Sequence, residues 1–287
     1  VSAPLPVATA PEPDEDWLLI GPGRAETRYW HDLWDYRELF YFLAWRDILV
    51  RYKQTVIGVA WAVIRPFLTM LVFTLVFSRI ARVPAPAAAP YALLVMAGML
   101  PWQFFSTAIG ESSNSLINNS NLISKVYFPR LIIPAGSVIT SFVDFLITFG
   151  LMGAMMAWYG FVPDWRIVTF PLFMALALGA ALGGGLWLCA LNVKYRDFRY
   201  VVPFIVQIGL YISPVGFSSS IVPERWRTLY ALNPMVGVID GFRWSLLRGE
   251  VPLDTTGVFI SLVLTLSLCV SGIAYFRKTE RSFADVI

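Results

Sequence analysis

Charge is what this sequence has least of. Only 14% of its 287 residues are Asp, Glu, Lys or Arg, against about 25% in an ordinary soluble domain. The balance is apolar: 57% hydrophobic and 15% aromatic residues, with a mean hydropathy of +0.64. Net charge is +3 with no gathered basic patch, which excludes nucleic-acid binding. Two cysteines, Cys189 and Cys269, lie far apart inside apolar runs. Their spacing excludes a metal site, and they read as small buried hydrophobes. The single histidine, His31, cannot hold a metal alone and reads as a solvated or interfacial ring. None of the four lysines (Lys53, Lys125, Lys194, Lys278) follows a glycine, so there is no phosphate-binding loop. A signal peptide is also not expected, because the start lacks a basic segment followed by an early apolar stretch. Residues 1–28 instead open with Pro4, Pro6, Pro11 and Pro13 and an acidic run from Glu12 to Asp16, the composition of a disordered tail. The pair Asp14 and Asp16 has the spacing of a metal–nucleotide-sugar motif, which this context makes coincidental.

Long apolar runs fill the rest. The expected class is an all-α membrane protein in which residues 29–287 form a single transmembrane domain. Residues 29–54 mix charges with Leu39, Phe42, Leu43, Trp45 and Leu49, as in an amphipathic helix lying in the membrane interface. Six spans follow at about 56–79, 90–110, 131–159, 165–191, 201–218 and 256–276, by the bilayer-length rule. Residues 219–254 are broken by Pro223, Pro234 and Pro252, and their apolar pieces (Met235–Ile239, Phe242–Leu247) are too short to cross. Such a segment reads as a re-entrant helical hairpin, covered by protein because bare backbone is not tolerated in lipid. Lys and Arg are about twice as frequent at the ends that include Arg51, Lys125, Arg130, Lys194 and Arg277 as at the opposite ends, which places both termini in the cytoplasm. There is no internal repeat to suggest an inverted-repeat carrier.

Several intramembrane features carry chemistry. Ser137, Ser141, Asp144 and Thr148 form a polar stripe at helical spacing on the third span. An aspartate at mid-span costs about 2.5–3.5 kcal/mol, so it must face protein or water. The stripe is either part of a conduit or a seam of helix–helix hydrogen bonds, with the seam the simpler reading. Arg65 is the obvious charge partner, yet it sits about 10 Å nearer the cytoplasm by rise per residue. Ala175, Gly179 and Gly183 repeat every four residues, which favours close helix packing.

Five blocks occur in order: Arg51-Tyr-Lys-Gln-Thr-Val-Ile-Gly58 with Trp61 and Arg65-Pro66; Gly98-Met-Leu-Pro-Trp-Gln-Phe-Phe-Ser106; Asn121-Leu-Ile-Ser-Lys-Val-Tyr-Phe-Pro-Arg130; Asn192-Val-Lys-Tyr-Arg-Asp-Phe198; and Leu232-Asn-Pro-Met235 with Gly241-Phe-Arg-Trp244. Together they resemble the permease subunits of polysaccharide-export ABC transporters, Wzm-type O-antigen permeases and their capsule and teichoic-acid relatives, over about residues 35 to 280. The resemblance implies a homodimer in the bacterial inner membrane carrying two copies of a cytoplasmic ABC ATPase. ATP and Mg would sit on that partner, and no cofactor, metal or catalytic residue is implied for this chain. Residues 111–130 resemble a coupling helix that docks on the ATPase, giving Glu111, Asn114, Asn118, Asn121 and Lys125 as contacts. Arg196 and Asp197 supply a second contact. A lipid-linked polysaccharide needs weak, repeated binding to aromatic faces and polar groups. Phe73, Phe77, Trp102, Phe104, Phe105, Phe204, Gln207 and Tyr211 are the expected path, although lipid-facing belts use the same residues. Arg65 is the expected cation at the entrance, on lipid phosphate or on the pyrophosphate of a lipid-linked sugar. Trp226, Tyr230, Phe242 and Trp244 of the re-entrant segment are expected as an outer gate, against a hairpin that merely lies on the surface. The alternatives are a small-molecule or drug exporter permease of the same superfamily, and a membrane-embedded lipid-linked sugar transferase. The latter needs clustered carboxylates or a nucleophile with a base, and no such cluster stands out beyond the tail.

Overall fold

The computed structural model describes residues 29–53, 58–82, 89–280 and 283. The acidic tail, with Asp14 and Asp16, lies outside them. The described residues are helical and contain no strand. In chain order, α1 is Tyr29–Asp35, α2 Arg37–Lys53, α3 Gly58–Thr74, α4 Tyr91–Asn118, α5 Ser120–Ile123, α6 Ile132–Trp158, α7 Phe170–Lys194, α8 Phe198–Ile212, α9 Glu224–Tyr230, α10 Pro234–Leu246 and α11 Thr255–Glu280. Five stretches are long and apolar enough to cross a membrane: Ala60–Ile80, Tyr91–Asn118, Ile132–Trp158, Trp165–Lys194 and Thr255–Glu280.

The helix ends follow from local chemistry. A π turn, Leu75–Ile80, extends α3, and Arg82 beyond it takes a positive φ of 51°. Gly160 (φ 64°) closes α6: its N–H donates to the Ala157 carbonyl, and that of Phe161 to Met156. This pair satisfies carbonyls the last turn would leave free. Asn233 caps α10 by accepting from the Met235 N–H, with Pro234 at the first helical position, where its missing N–H costs nothing.

α4 is the hub: 78% of its spanning window is buried, against 11% for α3. α6, α7 and α10 pack around it. Phe104, Phe142, Phe145, Phe149, Phe170 and Phe242 form one aromatic cluster, with rings as close as 4.8 Å for Phe149 and Phe170. α7 and α11 lie in backbone contact. A Cβ at Gly183 would fall 2.6 Å from the Cys269 nitrogen, and one at Gly272 would fall 2.5 Å from the Gly183 carbonyl oxygen. Gly179 and Gly183 therefore serve close packing against α11, while Ala175 is exposed.

Several boundaries differ from the sequence reading. The helix that carries the second span does not stop near residue 110; it continues to Asn118 and takes in the first part of the expected coupling loop. The fifth helix is shorter than expected, Phe198–Ile212 at 15 residues, because the chain leaves helical geometry at Ser213. The two apolar pieces of the hairpin are one continuous helix, α10, which is buried almost throughout. It lies inside the bundle against α4, α7 and α11 and not on the surface; α9 is the exposed member.

Arg243 of α10 explains how the irregular stretch after α8 survives burial. Its guanidinium is fully buried. It donates to the carbonyls of Leu94 (3.2 Å), Phe217 (2.6 Å) and Val215 (2.7 Å). Two of these belong to the non-helical segment, whose carbonyls would otherwise be unsatisfied. Gly98 leaves room for the guanidinium, since a Cβ there would sit 2.6 Å from Nη2.

Candidate functional site

The site starts from a buried-charge problem on α6. Asp144 needs a partner, and the structure supplies two from α2. The Arg51 guanidinium and the Tyr52 hydroxyl both donate to its carboxylate. Arg51 also donates to Glu111 of α4 at 2.8 Å. One arginine thus ties α2 to α4 and α6. Burial, and then the Asp144 carboxylate beside it, holds the Tyr52 phenol protonated, well above its usual range. α2 reaches this depth because it climbs along the bundle. Leu43 is buried in the cluster around Leu116 and Phe276. Arg46 meets Asn119 at 3.0 Å, and Arg51 stands beside Glu111, two turns further up α4. Tyr41, Phe42, Trp45, Leu49 and Val50 stay exposed.

Above this tie lies a cavity of about 580 Å³ between α2, α3, α4, α6 and α8. Its charged lining is two arginines, Arg51 and Arg65, and two carboxylates, Glu111 and Asp144. Polar and aromatic walls come from Gln103, Thr107, Gln207, Trp61 and Trp102. A second cavity of about 370 Å³ shares Arg51 and Glu111 and continues to Arg46, Asn118 and Ser137.

Asp144 pairs with Arg51 and not with Arg65, in keeping with the offset of about 10 Å that weighed against a direct Arg65 contact. Among the described residues Arg65 has no side-chain hydrogen bond or ion pair, and it is exposed on the cavity wall. Of the polar stripe, Asp144 alone makes hydrogen bonds to another helix among the described residues. Ser137, Ser141 and Thr148 each donate to the carbonyl four residues back in α6, while Ser141, Asp144 and Thr148 face the cavity.

The expected path residues divide. Trp102, Phe104 and Gln207 line the cavity. Trp102 and Phe104 sit in mid-helix, not at a helix end, because α4 runs on past them. Phe105 packs against Trp102 at 5.7 Å. Phe73 and Phe77 pack on each other with ring centres 5.6 Å apart, and Phe77 closes over Gly216, so both pack within the chain. Phe204 and Tyr211 are exposed beside Gln207 on α8 and do not line the cavity. The four expected gate residues do not come together. Phe242 is fully buried between Phe145 and Phe170, Tyr230 donates to the Ile212 carbonyl at 2.8 Å, Trp226 is exposed, and Trp244 meets Trp165 edge-on under the Arg166 guanidinium.

Of the expected coupling residues, Asn121, Lys125, Arg196 and Asp197 are exposed at the end of the bundle where α4 and α7 finish. Glu111 is engaged by Arg51. The Asn114 oxygen accepts from Asn192 at 3.1 Å, so its side chain is turned inward. Asn118 is exposed and borders the second cavity. His31, Asp32 and Asp35 bring ligand atoms within 4.8 Å of one another, with the ring bonded to Asp35 at 2.9 Å. This grouping, on a single exposed turn, was not read from the sequence. Arg51 and Tyr52 as partners of Asp144, and Arg243 as a backbone clamp, were also missed. Their partners lie 26 or more residues away in the chain, beyond the reach of any local pattern.

The family described as ABC-2 type transporter matches residues 38–247, from α2 to the end of α10. The chain belongs to this membrane family. The chain is 29% identical over 258 residues to the O-antigen export system permease protein RfbA of Myxococcus xanthus, covering 89% of this chain and 98% of that one. It is 28% identical to the RfbA protein of Klebsiella pneumoniae, over 84% of this chain and 92% of the relative. It is 27% identical to the capsule polysaccharide export inner-membrane protein CtrC of Neisseria meningitidis, over 83% and 90%. Members of this family are permeases, and the five long apolar helices agree with a multi-pass membrane subunit.

Proposed function

We propose that this chain is the transmembrane subunit of an ATP-driven exporter that carries lipid-linked polysaccharide, O-antigen in particular, across the bacterial inner membrane. The observation that carries the reading is the near full-length match in both directions to a permease named for O-antigen export. The capsule-export relative extends the same substrate class.

In this reading α8 is the sixth crossing, short because the segment after it is held by Arg243 inside the protein. α2 lies at the cytoplasmic interface with its exposed aromatic face toward lipid, and α9 and α10 dip in from the outer side. Both termini are cytoplasmic. Residues 111–130 with Arg196 and Asp197 receive two copies of an ABC ATPase, which binds the ATP and Mg. The apolar faces of α3 and α8, including Phe67, Leu71, Phe204 and Tyr211, are exposed in one protomer and pair with a second copy. Closure of the ATPases would then reach the spans through α4 and through the Arg51 tie.

The test is reconstitution in cells. The chain is co-expressed with the ABC ATPase encoded beside it in a strain that makes lipid-linked glycan. Surface glycan should appear, and it should vanish when the phosphate-binding lysine of the ATPase is replaced. Glycan turnover by this chain without ATP would overturn the reading in favour of an enzyme.

A further inference from the structure

The cavity beside α3 holds a cation, Arg65, that no side chain among the described residues neutralises. Its four charged side chains are arranged asymmetrically. Arg51 is shared by Glu111 and Asp144, which leaves that group with an excess of one negative charge. Arg65, on the α3 wall, has no acidic partner among the described residues. An exposed, unpaired guanidinium on an apolar helix is a ready anion receptor, because its planar fork of donors matches phosphate oxygens. Trp61 precedes it by one helical turn on the same face of α3, and Gln207 of α8 borders the same space. A cation, an indole face and an amide together suit a phosphate that carries a polar, ring-bearing head.

We propose that this cavity binds the phosphate-bearing head of a membrane-anchored lipid, with Arg65 on the phosphate and Trp61 and Gln207 on the group attached to it. Arg51 has a second role in this arrangement. By holding Glu111 and Asp144 it keeps two carboxylates from repelling the incoming anion. The charges lining the cavity balance, so each single substitution shifts the balance with a defined sign. The same chemistry is offered by a bulk anionic phospholipid and by a glycan carrier. Trp61 and Gln207 favour the carrier, because a sugar ring offers a C–H face to the indole and several hydroxyls to the amide. That identification rests on the export reading, whereas the phosphate site itself does not.

The test uses the full-length chain in maltoside micelles, whose heads carry no phosphate. Retention of two probes is followed by native mass spectrometry: phosphatidylglycerol, and a polyprenyl diphosphate bearing one sugar. Arg65→Gln should weaken binding about tenfold or more, and Arg65→Lys should keep most of it. Arg51→Gln should also weaken it, by about tenfold, through the two released carboxylates. Asp144→Asn should tighten it, and Arg51→Gln with Asp144→Asn should return it close to the parent value. That double variant keeps the test open if Arg51→Gln alone folds poorly. Affinity indifferent to Arg65, or weakened by Asp144→Asn as it is by Arg51→Gln, overturns the site. If phosphatidylglycerol follows the series and the diphosphate does not, the carrier assignment is overturned and the site is a phospholipid site. Surface glycan in cells is scored separately, so failure of the export reading is distinguishable from failure of the site.

Discussion

Arg51 at the C-terminal end of α2 donates to Asp144 in the middle of α6, 93 residues away in the chain. The pair is about three-quarters buried on each side, and Glu111 and Tyr52 complete it. Breaking a buried pair by removing one partner leaves the other charge uncompensated. Arg51→Gln should therefore lower stability by about 1–3 kcal/mol. Arg51→Gln with Asp144→Asn should cost less than the sum of the single changes, with a coupling of about 0.5–3 kcal/mol. Denaturant titration of the four proteins in micelles measures this, and strict additivity would mean the pair contributes nothing.

Arg243 offers a sharper contrast. It serves three backbone carbonyls at once. Arg243→Met keeps much of the volume and removes all three donors, and should cost about 3–5 kcal/mol. Gly98→Ala should mimic part of this loss, because its Cβ would meet both Nη2 of Arg243 at 2.6 Å and the Val215 carbonyl oxygen at 2.9 Å. Thermal unfolding of both variants gives the comparison. A Gly98→Ala protein as stable as the parent would show that the clamp yields easily.

The α7–α11 contact leaves no space for a side chain at Gly183 or Gly272. Alanine at either position must push two backbones apart, at about 1–3 kcal/mol, and valine should cost more. Gly153 and Gly150 on α6 meet nothing within 4 Å, and alanine there should stabilise slightly or leave the melting temperature unchanged. Melting temperatures of the four alanine variants provide the check.

Phe242 was expected to plug an exit but is packed among Phe145, Phe170 and Phe173. Phe242→Ala should cost about 3–5 kcal/mol as a core cavity. Trp226→Ala, at an exposed position, should stay within about 0.5 kcal/mol. Ion leak through the resting protein in liposomes separates the two roles. A leak in Phe242→Leu, with stability preserved, would restore that residue to a gate.

Lys125, Arg196 and Asp197 are exposed at one end of the bundle. Lys125→Glu and Arg196→Glu should leave the fold within about 0.5 kcal/mol of the parent, while glycan export falls several-fold and co-purification of the ATPase weakens at higher salt. Full export by the double charge reversal would remove this surface from the ATPase contact.

The reach of the sequence can be judged on single elements. The long apolar runs of α3, α4, α6, α7 and α11 were readable because hydrophobicity over a span is a local sum, and lipid demands about 20 such residues in a row. Their ends were less so. α4 continues to Asn118 because polar residues extend a helix once it has left the apolar layer, and composition drops there while hydrogen bonding does not. α8 ends early because its last turn is exchanged for bonds to Arg243, a residue 30 positions beyond Ser213. Gly179 and Gly183 were readable as packing residues from their spacing alone.

By itself the sequence determined the all-helical class, which segments have the length and apolarity of spans, the close α7 face and the resemblance to a permease family. Each of these depends on residues near one another in the chain or on ordered blocks along it. Only the tertiary structure decided that Asp144 is neutralised by Arg51 and not by Arg65, that Phe242 is core, and that Trp61, Arg65 and Gln207 share one cavity. Those outcomes depend on the height and tilt at which helices pack. A helix pattern fixes which face a residue occupies, and says nothing of how far one helix slides along another.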